Sequence, residues 1–242
     1  MKTEMLFTES RKTYGYRKMQ RALAQSGTKI SVYCVRKIMR ENGFYPETIT
    51  KYRPYHYGKQ SGQYSPNLLK QNFRAEKADK VWVGDITYIK TTLGWVYLAA
   101  VIDLYNREVI GYSVSKQIDT ELVKRALGNA IGGRENLSGL VFHGDRGCQY
   151  SSQGYRHMLE EHGIVSSMSR PGCSYDNSCL EIFFATLKKE CIYRRRYVTM
   201  EEVRRDMFSY MELFYNRKRM HSVLGYLSPV AYRRKNQGGE AA

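Results

Sequence analysis

Apolar residues recur at helical spacing in the first fifty residues and predict two short helices. In the first helix, the apolar face is formed by Tyr16, Met19, Ala22 and Leu23, and Gly27 ends the pattern. In the second, Ser31 is suited to cap the N-terminus and Gly43 follows the end; its apolar stripe is Val32, Val35, Ile38 and Met39. Two helices with basic outer faces and a short glycine-containing turn favour a helix-turn-helix, although any small helical hairpin would show the same pattern.

From residue 80 the pattern changes to β-branched and aromatic residues separated by short turns. It predicts three consecutive strands at 81–89, 95–102 and 108–114. A helix capped by Asp119 or Thr120 follows, then a short apolar strand at 140–143, a helix with Tyr155 and Leu159, and a strand at 164–168. With a final helix, the order β-β-β-α-β-α-β-α predicts an α/β fold of the ribonuclease H-like type, with a mixed five-stranded sheet and flanking helices.

These patterns predict four segments along the chain. They are a helix-turn-helix-like module at 1–44, a linker at 45–66, a ribonuclease H-like core at 67–190 and a basic helical extension at 191–242. Prolines interrupt the linker, and its tyrosines alternate with basic residues; the tyrosines are Tyr45, Tyr52, Tyr55, Tyr57 and Tyr64. Stacking on nucleic acid bases and packing over the next domain explain this alternation equally well. In the extension, Thr199 and Glu202 predict a capping box that opens a helix.

The net charge of +16 is concentrated at the two ends of the chain. Residues 1–80 contain 17 Lys and Arg against 6 Asp and Glu, and residues 187–242 contain 13 against 6. The centre, residues 81–186, contains 9 against 11 and is slightly acidic. Clustered cations release counterions when they neutralise phosphates, so this distribution favours nucleic acid as the partner. A membrane is disfavoured because no basic amphipathic helix with an exposed apolar face stands out.

The sequence contains no apolar run of membrane-spanning length and its start lacks the apolar stretch of a signal peptide. We therefore expect a cytoplasmic protein. The five cysteines form no C-x-x-C pair and have no paired histidines nearby, which argues against a disulfide framework or a structural zinc site. We expect them to be reduced packing residues.

Three acidic residues are candidates for catalysis. Asp85 interrupts a strand that is otherwise apolar, and Asp145 directly follows the strand at 140–143, at the sheet edge where ligand sites of α/β proteins gather. Glu181 lies in the first turns of a helix, with 35 residues between it and Asp145. Simpler readings exist, since Asp145 also suits an ordinary turn and Glu181 a helix N-terminus. Asp103 is better explained by hairpin turn chemistry.

Carboxylates from two strands and a helix are the hard oxygen ligands that Mg²⁺ or Mn²⁺ prefers, and two such ions would relieve their mutual repulsion. One ion would activate water or a 3′-hydroxyl, and the other would stabilise the leaving oxygen of a phosphoryl transfer. If Glu181 is not the third ligand, Asp176 and Glu190 are the alternatives in the same region.

Five stretches of the sequence resemble the DDE transposases of bacterial insertion sequences. The resemblance is specifically to the second-reading-frame protein of the insertion-sequence-three family. These transposases are relatives of retroviral integrases. The stretches are TYGYR at 13–17, WVGDITY at 82–88, HGDRGCQY at 143–150, DN with EIFFATLKKE within 176–190, and FYNRKR with HSVLGYLSP within 214–229. The chain departs from the family at Gly84 and Gly144, where Thr and Ser are frequent, and at Cys148, where Ser is common. None of these is a metal ligand, and no zinc module like that of retroviral integrases is present.

The resemblance implies cleavage at element ends to free 3′-hydroxyls, followed by direct transesterification without a covalent protein intermediate. Asp85, Asp145 and Glu181 would be the catalytic residues and the ligands of two Mg²⁺ or Mn²⁺ ions. Lys188, seven residues after Glu181 on the same helix, is a candidate phosphate contact, the alternative being a solvated helix end. Further candidate DNA contacts are Arg17, Arg36, Lys37, Arg40, Arg217, Lys218 and Arg219.

The implied partners are double-stranded DNA, both the element's terminal repeats and the target, and a second copy of the chain, because two DNA ends must be joined. A first-reading-frame helix-turn-helix protein is a further expected partner, and the expected location is the bacterial cytoplasm, in association with the nucleoid. Two other functions remain open: a ribonuclease H-fold nuclease that only hydrolyses, and a non-catalytic DNA-binding regulator derived from a transposase.

Overall fold

The computed structural model describes residues 2–47 and 64–237. The chain divides into two compact units: one comprises Met1–Lys51, Leu187–Arg194 and Ser209–Ala242, and the other Tyr52–Thr186 and Arg195–Phe208. This division differs from the four predicted segments, because the extension is shared between the two units. The predicted linker lies mostly outside the described residues, including its tyrosines Tyr52, Tyr55 and Tyr57. No helix among the described residues is long and apolar enough to cross a membrane.

The second unit is built on a five-stranded mixed sheet, as predicted. Its strands are β1 (Val81–Thr91), β2 (Gly94–Asp103), β3 (Val109–Ser115), β4 (Val141–Gly144) and β5 (Val165–Met168). Their order across the sheet is β3-β2-β1-β4-β5. The first three strands form an antiparallel meander, and β4 and β5 add in parallel to β1 and to each other. The α/β fold of the ribonuclease H-like type is therefore confirmed.

Helices cover the sheet and bury its apolar side chains. They are α4 (Thr120–Ile131), α5 (Cys148–Ser151), α6 (Gln153–Glu161), α7 (Ser178–Glu190) and α8 (Met200–Phe208). One core cluster joins Trp82, Val101 and Phe142 of the sheet to Leu122 and Leu127 of α4. Its side chains leave water almost completely, which is the main favourable term in folding.

A close approach of α4 to β3 explains a glycine. A Cβ at Gly111 would collide with the backbone oxygen of Ala126 and lie 2.6 Å from the backbone nitrogen of Ala130. Only glycine lets the helix backbone pack directly on the strand here. Asp119 caps α4 as predicted, since its Oδ1 accepts a hydrogen bond of 2.8 Å from the Leu122 N–H.

The first unit contains α1 (Lys2–Glu9), α2 (Tyr16–Gln25) and α3 (Val32–Glu41). The two predicted helices are confirmed, and Ser31 caps α3 by accepting from the Cys34 N–H at 3.2 Å. Helix α1 was missed in the sequence, because Phe7 is its one buried side chain and a stripe of that length gives no clear period. A core cluster of this unit includes Met19, Val35 and Met39.

Residues from the C-terminal part of the chain complete the first unit. A π-helical segment, Ser209–Tyr215, follows α8, and α9 spans Pro229–Gln237. The Tyr14 hydroxyl donates to the Lys218 carbonyl at 3.0 Å and accepts from the Met220 N–H at 2.8 Å. The sequence predicted a helix that opens at Thr199 and did not predict the π-helical turn.

Helix α8 begins with the predicted capping box in a modified form. The Thr199 Oγ1 accepts from the Glu202 N–H at 3.3 Å, as expected. The Glu202 carboxylate, however, accepts from the Val198 N–H at 2.8 Å, one residue before the position that the motif predicts. Side chains of both Thr199 and Glu202 therefore accept hydrogen bonds from backbone N–H groups at the start of α8.

Candidate active site

The parallel pairing of β1 with β4 brings two of the predicted acids to the same level of the sheet. The ladder ends with Val83 opposite His143. Asp85 and Asp145 each follow two residues later, so extending the register pairs them with each other. Neighbouring strands lie about 5 Å apart. The strand pairing therefore brings these two carboxylates together.

Alternation along β1 sets the face of Asp85. Side chains two residues apart in a strand point the same way, so Asp85 shares a face with Val83. The opposite face carries Trp82 and Phe142, which belong to the core cluster with α4. Asp85 thus lies on the side of the sheet away from α4, and Asp145 directly follows the end of β4.

Asp145 lies in a tight turn that leaves its charge poorly solvated. Its Oδ1 accepts a 2.8 Å hydrogen bond from the Gly147 N–H. Burial raises the pKa of the Asp145 carboxyl above its ordinary value, and the Gly147 N–H only partly offsets this. The ordinary turn that the sequence suggested is therefore present. Within it, one backbone N–H group does not make up for the water that the Asp145 carboxylate loses on burial.

The charges of both acids affect the pKa of one buried tyrosine, Tyr150. It is 3% exposed in α5, and burial raises its pKa well above 10, with further increases from the charges of Tyr155, Asp85 and Asp145. Both carboxylates therefore act on the same buried hydroxyl, in agreement with the strand register that sets Asp85 opposite Asp145. Sequence reasoning did not assign a role to Tyr150, and its place in α5 gave no signal of it.

A buried histidine links β4 to the segment that begins α7. His143 is fully buried; its Nδ1 is 2.8 Å from the Ser167 Oγ and its Nε2 is 3.0 Å from the Asp176 carbonyl oxygen. Burial lowers the pKa of His143, which favours the neutral ring. Since a carbonyl can only accept, Nε2 carries the proton and Nδ1 accepts from the serine hydroxyl. The contact to Asp176 places the start of α7 next to β4, which Asp145 directly follows.

Glu181 lies in the first turn of α7 and is exposed, with no hydrogen-bond or ion-pair partner among the described residues. Partial burial raises the pKa of its carboxyl. The two alternative acids, Asp176 and Glu190, are each paired with an arginine. Asp176 is fully buried and forms a bidentate pair with Arg170, with oxygen–nitrogen distances of 3.0 and 3.1 Å. Glu190 forms a similar pair with Arg219, at 2.8 Å for each bond.

Across the described residues, no group of three or more His, Cys, Asp and Glu is assembled closely enough to hold a metal ion. Two carboxylates converge, while the third predicted ligand points to solvent at the start of α7. The donor set nevertheless suits a divalent cation, because hard oxygen ligands with a buried negative charge are what Mg²⁺ requires. A complete set of three would need the Glu181 side chain to turn inward.

Comparison with known proteins assigns the family. Residues 75–174 and 181–236 match two integrase core domain families, and residues 4–52 match an HTH-like domain family. The transposase InsF of insertion sequence IS3A from Escherichia coli is 40% identical over 95% of this chain and 80% of its own length. The transposase of insertion sequence element IS904 from Lactococcus lactis is 38% identical over 97% of this chain and 93% of its own. The chain belongs to the IS3 family of transposases.

Solved structures support the same fold for this transposase. The simian T-cell lymphotropic virus intasome, in complex with a PP2A regulatory subunit, matches with a TM-score of 0.53 at 17% identity, over 88% of this chain and 70% of that one. The catalytic core domain of BIV integrase matches with a TM-score of 0.50 at 15% identity, over 68% of this chain and 99% of that one. The predicted resemblance to this superfamily is confirmed.

The family departure at Gly84 has a structural explanation in this transposase. A Cβ at Gly84 would collide with the ring tip of Phe142, on the strand beside it. Phe142 fills this space and packs on Tyr150 and Tyr155, with ring centroids 6.0 and 5.6 Å apart. A larger residue at 84 therefore needs a smaller residue at 142.

The predicted DNA contacts fall into two groups. Most are exposed, and these are Arg17, Arg36, Lys37, Arg40, Arg217 and Lys218. Arg219 is only 12% exposed at its side chain because it is committed to Glu190. Lys188 is 7% exposed, so the alternative of a solvated helix end is wrong. These two are not surface cations of the kind that track a DNA backbone.

Two further expectations from the sequence have definite outcomes. The five cysteines are free, as predicted, but Cys34 and Cys148 are exposed and so are not packing residues, whereas Cys191 is buried.

Asp103 stabilises a turn, as predicted. Its Oδ1 accepts a hydrogen bond from the Tyr105 N–H and its Oδ2 accepts one from the Asp79 N–H, each at 2.8 Å.

Proposed function

We propose that this IS3-family transposase catalyses metal-dependent cleavage at the ends of an insertion sequence and the transfer of the freed strands to target DNA. The observation that carries the proposal is the register of β1 with β4, which brings Asp85 and Asp145 to the same level of the sheet. The segment that precedes α7, the helix with Glu181, contacts β4 through His143. In a chain of this family, that arrangement is best explained as the site of phosphoryl transfer.

Asp85, Asp145 and Glu181 are the proposed catalytic acids and would hold two Mg²⁺ or Mn²⁺ ions. Bound there, the ions would polarise the scissile phosphate and lower the pKa of the attacking water or 3′-hydroxyl. The protein's own contribution is to place two carboxylates side by side and to keep the charge of Asp145 partly desolvated. Their repulsion favours a cation over an empty site.

The first unit is the proposed DNA-binding module, and α3 its recognition helix. Arg36, Lys37 and Arg40 are exposed on α3, and they share one face with Tyr33, which is 77% exposed. The opposite face, with Val35 and Met39, is buried. A helix with cations and an aromatic ring on its outer face suits the major groove, where side chains contact phosphates and base edges.

Joining two DNA ends requires two active sites, so the proposed active form is a dimer or larger assembly on DNA, with terminal repeats and target DNA as partners. A first-reading-frame helix-turn-helix protein is a further proposed partner, and the bacterial nucleoid the proposed location. Residues 1–44 are proposed to recognise the ends. Because these residues share a core with the C-terminal part of the chain, surface substitutions test the role better than a deletion. Replacing the exposed Arg36 and Arg40 of α3 by Ala should weaken preference for the cognate end while metal-dependent nicking continues, measured by competition between cognate and unrelated DNA.

The decisive experiment replaces Glu181 by Gln. The change keeps the size of the side chain and roughly its helix propensity but removes the charge that a divalent ion requires. We expect joined DNA products in Mg²⁺ and in Mn²⁺ to fall at least 100-fold, while DNA affinity and thermal stability stay close to wild type. Glu160→Gln, at an exposed position of α6, is the matched control and should remain active.

The outcomes separate the proposal from its rivals. Near wild-type joining by Glu181→Gln would contradict the proposed acid triad, and Asp176 and Glu190 are poor replacements because each is bound to an arginine. A wild-type protein that cuts DNA without joining it is a nuclease. One that binds DNA and neither cuts nor joins in either metal is a regulator.

A further inference from the structure

Asn177 is a buried side chain whose amide finds no hydrogen-bond partner in the part of the chain that the structure describes. It is 6% exposed, and both its Oδ1 and its Nδ2 lack a partner among the described residues. Buried amides in folded proteins are almost always hydrogen-bonded, so an amide without a protein partner needs a water, an ion or another group to complete its hydrogen bonds. No role for Asn177 follows from the acid triad as proposed.

The backbone on which Asn177 sits is held firmly. The preceding residue, Asp176, accepts hydrogen bonds at its carboxylate from Asn67 at 2.8 Å, from Gln71 at 3.0 Å and from Arg170 at 2.9 to 3.1 Å. Its carbonyl oxygen contacts the Nε2 of His143, two residues before Asp145. The orphaned amide is therefore fixed next to β4 and cannot easily turn away to find water.

Glu181 is a group that could complete these hydrogen bonds, because its carboxylate has no partner among the described residues. It lies four residues after Asn177, and Ser178 between them already has helical backbone angles, φ −56° and ψ −26°. Residues four apart lie on the same side of a helix, about 5–6 Å apart at Cβ. An orphaned donor thus stands one turn before an exposed carboxylate that must turn inward to complete a set of three ligands.

We propose that Asn177 is a positioning residue for Glu181. When a divalent ion binds Asp85 and Asp145, the Glu181 carboxylate turns inward and accepts a hydrogen bond from the Asn177 Nδ2. The Asn177 Oδ1 would then remain as an acceptor for water in the site, since Mg²⁺ usually keeps several waters. This inference rests on the proposed function, and it assigns the free protein a site that is only partly assembled.

The test is Asn177→Leu, which has nearly the same shape and no polar atoms. Replacing an unsatisfied buried amide by an apolar group of the same shape relieves a desolvation penalty. We therefore expect the metal-free variant to melt at or above the wild-type temperature. The rise in melting temperature on adding Mg²⁺ should be at least halved, and the Mg²⁺ concentration for half-maximal strand transfer should rise about tenfold. Asn106→Leu is the matched control.

Asn106 is equally buried but fully paired, since its amide donates to Glu108 at 2.8 Å and accepts from the Glu108 N–H at 3.3 Å. Its replacement should lower the metal-free melting temperature and leave the Mg²⁺-induced rise unchanged. If Asn177→Leu does not fold, Asn177→Ala also removes the donor, admits water to the space, and should show the same loss of the Mg²⁺ response.

A double variant tests whether Asn177 acts through Glu181. In a Glu181→Gln background, Asn177→Leu should have little further effect on the Mg²⁺-induced rise in melting temperature. A full additional loss, or a Mg²⁺ response in Asn177→Leu equal to that of wild type, would overturn this inference alone. Absence of any Mg²⁺ response and of strand transfer in the wild type would instead overturn the proposed metal site, and this inference with it.

Discussion

Replacing Gly84 by alanine tests whether the close packing beside the catalytic strand has been read correctly. Gly84 precedes Asp85 in β1, and an added Cβ would lie 3.2 Å from both Cε atoms of Phe142 and still closer to the ring tip. The Phe142 ring is 2% exposed and packed on two tyrosines, so it has little room to move. The variant must shift either the ring or the strand.

The magnitude follows from two opposing terms. Overpacking in a filled core costs about 1–3 kcal/mol. Loss of glycine's freedom in the unfolded chain returns about 0.5–1 kcal/mol. We therefore expect Gly84→Ala to lower the free energy of unfolding by about 1–2 kcal/mol. Because the added methyl group lies next to Asp85 in β1, we also expect strand transfer to fall.

The assay is a double-variant cycle by chemical denaturation. Phe142→Leu alone should destabilise the protein by about 1–2 kcal/mol, because it leaves a cavity. In the double variant the new methyl group occupies that cavity, so the two costs should not add, and a favourable coupling of about 1 kcal/mol is expected. Gly154→Ala is the matched control, since a Cβ there meets nothing within 4 Å, and as a helical position it should stabilise slightly.

Strict additivity of the two changes, or a Gly84→Ala variant as stable as Gly154→Ala, would refute this reasoning. Either result would mean that Phe142 does not limit the space at position 84. A clash with Phe142 would then also not explain why this chain has glycine at position 84.

Three further outcomes are expected. Burial raises the pKa of Asp103 to about 6 from 3.8, so its contribution to the free energy of unfolding, about 3 kcal/mol, should be full below pH 4 and lost by about pH 6; Asp103→Asn should remove this dependence, and identical pH profiles would contradict it. Glu190→Gln should destabilise by about 3 kcal/mol in a denaturation experiment because it leaves Arg219 buried without its counter-charge, and an unchanged midpoint would count against the pair. DNA affinity should fall steeply with salt, with a shallower slope for Arg36→Ala, and a flat slope in wild type would argue against phosphate contacts.

Local patterns in the sequence were sufficient for most of the secondary structure. Ser31, Asp119 and Thr199 were predicted as helix caps and each accepts the expected backbone hydrogen bond. The strands could be predicted because alternating and β-branched residues are local signals. Helix α1 and the π-helical turn gave no such signal, and both depend on burial against residues distant in the chain.

The grouping of the chain into units could not be predicted from local patterns. Tyr14 bonds to residues 218 and 220, and Arg11 bonds to the Ser209 carbonyl at 2.9 Å, across about two hundred residues. Sequence reasoning assigned the C-terminal residues to a separate extension because charge and composition change there. Composition, however, does not say which distant segment a helix will pack against.

The sequence by itself determined the fold class, the three candidate acids and the basic character of both ends, because these depend on residue type, order and spacing. Only the tertiary structure decided which charges remain available. In the folded chain, Asp176 pairs with Arg170 and Glu190 pairs with Arg219. Glu181 is exposed, and the Asn177 amide has no hydrogen-bond partner among the described residues. The physical reason is that a side chain's partners and its burial are set by strand register and packing between distant segments, and a linear pattern carries neither.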